Sequence, residues 1–115
     1  MSPSIRINAA NRLRTHAPIF AALGDETRLG LVGKLASGEP RSIVQLTDGT
    51  QLTRQAVTKH LRVLEDVGIV RSVRAGRENL FELDPKPIDE VKSYLDLVSA
   101  QWDKTLARLK SFVER

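Results

Sequence analysis

Apolar residues recur at intervals of three and four along most of the chain, the spacing that lays one face of an α-helix against a core. Residues 1–15 read as an N-terminal arm or a short helix. His16 to Leu23 predicts a helix in whose first turn Pro18 fits, with Gly24 at its end. Asp25 is a good N-cap for the next helix, in which Leu29, Val32, Leu35 and Ala36 recur at helical spacing before Ser37-Gly38-Glu39-Pro40 stops it. A short helix follows Ser42, with Ile43, Val44 and Leu46 inward and Thr47-Asp48-Gly49-Thr50 as a turn. Thr53 then caps a longer helix over residues 53–67, ended by Gly68.

After Gly68 the period changes. Residues 69–83 hold two β-prone runs, Ile69 to Arg74 and Arg77 to Leu83, joined at an Ala75-Gly76 tip, and they predict a hairpin. Asp84-Pro85-Lys86-Pro87 breaks the chain once more, and no Gly or Pro occurs from Ile88 to Arg115, so residues 86–115 predict one long last helix. Its apolar positions Ile88, Val91, Leu95, Val98, Trp102, Leu109 and Phe112 form a seam that only Thr105 interrupts. About 27 residues at 1.5 Å each give a helix of ~40 Å, more than a small domain needs to cover its own core. Part of that seam is therefore expected to meet another chain, with ordinary core as the alternative.

At 115 residues the chain fits one domain. Hydrophobic residues at 41% and charged residues at 28% are ordinary for a folded soluble domain, which argues against disorder and fibrous repeats. With 0 Cys there is no disulfide framework, thiolate zinc site, Cys-held iron–sulfur cluster or cysteine nucleophile. No stretch approaches the ~20 apolar residues of a membrane span, and the first residues lack a long apolar run. No membrane role and a cytoplasmic location are therefore expected.

The net charge of +4 is unevenly placed. Residues 1–24 carry +3 and residues 53–77 carry +4, whereas 25–52 carry −1 and 78–115 carry −2. Two basic segments in an otherwise neutral or acidic chain are the footprint of a polyanion-binding face, though composition alone does not separate this from a solvated charged face.

The order of elements, two short helices, a turn, a longer helix and a basic hairpin, is that of a winged helix-turn-helix: mainly α with a small β-hairpin. In that fold the second helix of the pair enters the major groove of double-stranded DNA and the hairpin is the wing. At ~100° per residue, Val57, Leu61 and Leu64 share one face of the 53–67 helix, and Gln55, Thr58, Lys59 and Arg62 share the opposite one. Gln pairs with adenine, Arg or Lys with guanine, and Thr meets either a base edge or a thymine methyl. Arg54 and Gln55, beside the Thr53 cap, are the candidates for base edges, and Lys59 and Arg62 for phosphates. His60 lies at the boundary of the two faces, where its ring can reach a phosphate or pack as a helix-flanking hydrogen bonder. In the hairpin, Arg71 lies along the first strand while Arg74 and Arg77 bracket the tip, suited to a minor groove or the backbone.

Enzyme readings find little support. There is no Gly-x-Ser-x-Gly elbow, and Gly30 to Lys34 lacks the spacing and terminal Ser/Thr of a phosphate-binding loop. Asp25-Glu26 is better explained as a cap with favourable charge at a helix N-terminus than as a catalytic pair.

Phe20 to Leu29, Gln55 to Leu64, Gly68-Ile69-Val70 and Arg74 to Arg77 together resemble the ArsR/SmtB family of bacterial winged-helix repressors, over roughly residues 17–113. Thr58 stands for the usual serine and Ile69 for the usual leucine, which keeps hydroxyl and aliphatic character. The resemblance implies a homodimer paired through its first and last helices, binding an imperfect inverted repeat and repressing transcription. Phe20 on the first helix and Leu95, Val98, Trp102, Leu106, Leu109 and Phe112 on the last are the expected interface residues. The Trp102 to Leu109 segment is similar to a subgroup that is often autoregulatory and usually not metal-sensing.

Metal-sensing members carry a Cys pair on the third helix or Asp/His pairs on the last. Here Ser42 to Asp48 holds neither Cys nor His, and the last helix has no His. Asp89, Glu90, Asp96 and Asp103 remain as scattered carboxylates, poor partners for a soft divalent ion. No metal or other cofactor is expected. A small organic effector between the first and last helices stays open, with no residue set that names it. Two further alternatives stay open: a winged-helix adaptor for other proteins, which would want an acidic or apolar recognition face, and a metal-responsive repressor with a carboxylate site.

Overall fold

A computed structural model describes the backbone of residues 3–114 and the side chains of residues 13–114. In chain order it comprises α1 (Pro3–Leu23), α2 (Glu26–Leu35), β1 (Arg41–Ser42), α3 (Ile43–Thr47), α4 (Arg54–Asp66), β2 (Val70–Ala75), β3 (Glu78–Leu83) and α5 (Pro85–Val113). Side-chain oxygens start the helices that follow α1. Asp25, Ser42, Thr53 and Asp84 each accept a hydrogen bond from a backbone N–H of the first turn, satisfying a donor that the helix itself leaves unpaired. At Ser42 the bond is reciprocal, because the Gln45 side chain accepts in turn from the Ser42 N–H.

The core gathers Ile19 and Ala22 of α1, Leu31 and Leu35 of α2, Leu46 of α3, Val57, Leu61 and Leu64 of α4, Ile69, Val70 and Phe81 around the sheet, and Val91 of α5. Burying a Val or Leu side chain contributes ~1.5 to 3 kcal/mol relative to exposure. Three fully buried residues on one side of α4 therefore fix its rotation, and its Gln55 and Lys59 face outward. The strand order is β1-β3-β2, antiparallel throughout. β1, absent from the expected hairpin, adds a third strand by pairing Arg41 with Phe81 and Ser42 with Leu80.

Several expectations are corrected. Pro18 lies inside α1 rather than in its first turn, because the helix already runs from Pro3. Its missing N–H and ring clash cost ~3 kcal/mol or more. Ile19 and Ala22 in the core, and Tyr94 of α5 packed edge-on against the rings of His16 and Phe20, offset that cost. Residues 3–15, expected as an arm or a separate short helix, belong to α1, and residues 1 and 2 lie outside the described residues. In α2, Leu31 is buried and Leu29 is exposed, since Leu31 and Leu35 are four apart on the core side. In α3, Ile43 and Leu46 face the core but Val44 turns outward.

The hairpin tip is Gly76-Arg77, because Ala75 pairs with Glu78. Gly76 has φ +64, and a positive φ at the first central position is the glycine-demanding feature of a type II′ turn. α5 begins at Pro85 rather than after Pro87. A proline at the first helical position has no N–H to leave unsatisfied, so the segment expected to break the chain is the helix start.

α5 has 29 residues, so at 1.5 Å each it is ~43 Å long. Val91 is 4% exposed, yet Leu95, Val98, Trp102, Leu106, Leu109 and Phe112, on or near the same helical face, are exposed. The radius of gyration, 18.9 Å, exceeds the ~13 Å of a compact chain of this size, as expected when a helix runs on beyond the core that its own chain supplies.

Candidate nucleic-acid interface

The site is built on the N-terminal half of α4 and the short helix α3 that precedes it. The Thr53 hydroxyl accepts from the Ala56 N–H at 3.1 Å, which closes the first turn and leaves the Arg54 and Gln55 side chains exposed. The Thr58 hydroxyl, half-buried, donates to the Arg54 carbonyl at 2.7 Å, so its oxygen keeps both lone pairs to accept a further bond. Between α3 and α4 lies an open groove of about 540 Å³, lined by Ile43, Val44, Arg54, Gln55, Thr58, Lys59 and Arg62. Five of the polar residues expected on the recognition face thus share one concave surface.

α3 is held from below. Lys34 of α2 donates from Nζ to the carbonyls of Leu46 at 3.0 Å and Asp48 at 3.3 Å, placing a cation at the helix end where carbonyls are unsatisfied. Nothing in the sequence around Lys34 points to this role, since contacts twelve and fourteen residues away leave no local signal. The Thr50 hydroxyl donates to the Thr47 carbonyl at 2.6 Å, closing the turn into α4.

His60 does not join the groove. Its ring faces the N-terminus of α2, with Nδ1 3.8 Å from the Asp25 carboxylate and 3.5 Å from the Arg28 guanidinium. Arg28 also donates from Nε to the Ala22 carbonyl at 2.7 Å, so one cluster joins α1, α2 and α4. The Arg28 N–H holds the Asp25 carboxyl below its usual range; the Arg28 guanidinium and His60 help, while partial burial opposes.

The wing arginines divide. Arg74 and Arg77 are exposed near the turn, whereas Arg71 donates to Glu82 at 2.7 Å and lies 3.8 Å from Asp84. The bond to Glu82 raises the Arg71 pKa further, so its charge is committed to its own hairpin. Among the described residues, the side chains of Arg54, Gln55, Lys59, Arg62, Arg74 and Arg77 make no hydrogen bond or ion pair within the chain. Ordinary solvated faces pair many such cations with neighbouring acids; here the groove and the wing tip carry cations that await a counter-charge.

On α1, Phe20 is half-buried beside Tyr94, while the expected interface residues of α5 are bare, Trp102 at 60% and Phe112 at 71% exposed. Between α1 and α5 a smaller cavity of about 290 Å³ is lined by His16, Glu90, Ser93, Tyr94 and Leu97. Among the described residues, no group of three or more His, Cys, Asp or Glu side chains is placed to hold a metal ion. No helix among them is long and apolar enough to cross a membrane.

Comparison with known proteins agrees with this geometry. Residues 23–73, from the end of α1 through most of β2, match the family described as helix-turn-helix domain. The chain is 37% identical over 76 residues to the uncharacterized HTH-type transcriptional regulator YuzN of Bacillus subtilis, covering 61% of this chain and 83% of that one. Its fold is similar to that of an ArsR-like transcriptional regulator from Rhodococcus sp. RHA1, with a TM-score of 0.73, 34% identity, and coverage of 86% of this chain and 92% of the other. At 19% identity and a TM-score of 0.65, it also shares the fold of Mb0332 from Mycobacterium bovis, described as a homodimeric winged helix-turn-helix DNA-binding domain; 91% and 93% of the two chains are covered.

Proposed function

Since the chain belongs to the ArsR-like family of winged helix-turn-helix transcriptional regulators, we propose that it is a homodimeric repressor that binds an imperfect inverted-repeat operator, its own promoter among the targets. The observation that carries this reading is the groove between α3 and α4, in which Arg54, Gln55, Thr58, Lys59 and Arg62 converge without intramolecular counter-charges. Gln55 and Arg54 meet base edges, Lys59 and Arg62 meet phosphates, and Arg74 and Arg77 follow the backbone beside the wing. Thr53 contributes as the cap that sets the first turn. His60 and Arg71 act from inside the protein, the first on α2 and the second on β3.

Pairing runs through α1 and α5. One recognition helix reads only a few base pairs, so tight specific binding wants two, held ~34 Å apart. The bare face of α5 from Leu95 to Phe112 is what a second copy would cover. The same fold is described as homodimeric in the Mycobacterium bovis protein. With neither thiolate nor clustered imidazole available, zinc, nickel, cadmium and arsenite are expected to leave operator affinity unchanged.

The test is a footprint of the purified chain on the DNA upstream of its own coding sequence. The reading predicts a protected inverted repeat there and lower transcription when the protein is added. Protection no stronger than on random duplex would overturn it.

A further inference from the structure

The groove holds one side chain that neither capping, core packing nor phosphate binding explains. Val44 is the second residue of α3 and is 53% exposed. The reciprocal Ser42–Gln45 cap fixes where α3 begins. With that start, Ile43 and Leu46 turn inward, and Val44, ~100° further round than Ile43, must face the groove. There it stands among Arg54, Gln55, Thr58, Lys59 and Arg62. A branched hydrocarbon at the centre of a cationic surface adds nothing to that surface's attraction for phosphate. It also gains little for the fold from a position that exposes half of its area.

We infer that Val44 is a specificity-determining residue that packs against a thymine 5-methyl group in the operator, with Ile43 as the apolar wall behind it. The inference rests on the reading of this groove as the DNA-binding face. The reasons are chemical. The 5-methyl of thymine is the apolar group that a base pair presents in the major groove, and no other base offers it. A β-branched side chain is stiff at χ1, so Val44 presents its methyls with little loss of rotamer freedom on binding. The surrounding cations select a polyanion and disfavour an apolar peptide as occupant. Each half-site would then carry a thymine beside the base pair that Gln55 reads.

The experiment begins with selection of bound duplexes from a random-sequence pool by the wild-type chain. Each thymine of the selected site is then replaced in turn by deoxyuridine, which differs only in lacking the 5-methyl. At one position in each half-site, wild-type affinity should fall about fourfold, the effect of exposing roughly one buried methyl. Val44→Ala should bind the thymine duplex as wild type binds the uracil one and should be indifferent to that replacement. Val44→Ile should keep the sensitivity. Because Val44 is exposed, thermal unfolding of both variants should match wild type. A clear selected site whose affinity is unchanged at every deoxyuridine position would overturn the Val44 assignment alone. So would a Val44→Ala chain that kept the wild-type sensitivity. A pool with no enriched sequence would overturn the DNA-binding reading, and the thymine assignment with it.

Discussion

The Ser72 hydroxyl on β2 donates a 2.7 Å hydrogen bond to the Glu65 carboxylate in the last turn of α4. It joins the wing to the helix that lines the groove, so the angle between the two does not depend on backbone packing alone. Both groups are exposed, and an exposed polar contact of this kind contributes under ~1 kcal/mol to folding. Ser72→Ala should therefore unfold at nearly the wild-type temperature while its operator affinity drops several-fold. Equal affinity in a gel-shift titration would show that the bond does not set the position of the wing.

Backbone and base contacts should separate by salt. Each phosphate contact contributes about −0.9 to the slope of log K against log salt, so Arg74→Ala or Arg77→Ala should flatten the slope by about that much and weaken all sequences alike. Arg71→Ala should change it less, because Glu82 and Asp84 already hold the Arg71 charge. Gln55→Ala should instead cost ~1 to 3 kcal/mol on the operator and relax preference at one base pair. Equal losses on operator and random duplex would remove Gln55 from base reading.

Dimerisation should be separable from folding. In a single chain Trp102 is largely exposed and contributes little to the core. Packed in an interface, a Trp→Ala truncation commonly costs ~3 to 5 kcal/mol. Trp102→Ala should sediment as monomer with near-native helix content and leave only weak, sequence-independent DNA binding. A variant that stays dimeric would place the pairing surface on α1, around Phe20.

Much of this arrangement was legible in the sequence because local signals agreed. Thr53 with the Val57-Leu61-Leu64 stripe fixed α4 in position and rotation, and the change of period after Gly68 marked the hairpin. What escaped was set by tertiary contact. Val44 is one of two adjacent apolar residues, and only the core decides which turns inward. Arg71 looks like its neighbours until β3 places Glu82 opposite it. Pro18 reads as a helix start, since Tyr94, whose ring packs on His16 and Phe20 to either side of the proline, lies far along the chain on α5.

The Asp25 cap predicts a pH dependence. Its folded-state pKa lies below the ordinary aspartate value of 3.8. A depressed carboxylate stabilises the fold above its unfolded pKa, and this contribution is lost as pH falls through the folded value. Asp25→Asn keeps a capping oxygen but no titrating charge, so its thermal midpoint should fall less steeply than wild type below about pH 4. Identical acid limbs for the two proteins would contradict this role.

The central claim is that two copies of α4, paired through α5, read two half-sites on one face of the duplex. Hydroxyl-radical footprinting on the selected operator tests it most directly. The account predicts two protected patches related by a twofold axis, their centres one helical turn or ~34 Å apart, that vanish together in Trp102→Ala. A single asymmetric patch, or two patches that survive in the monomeric variant, would contradict it.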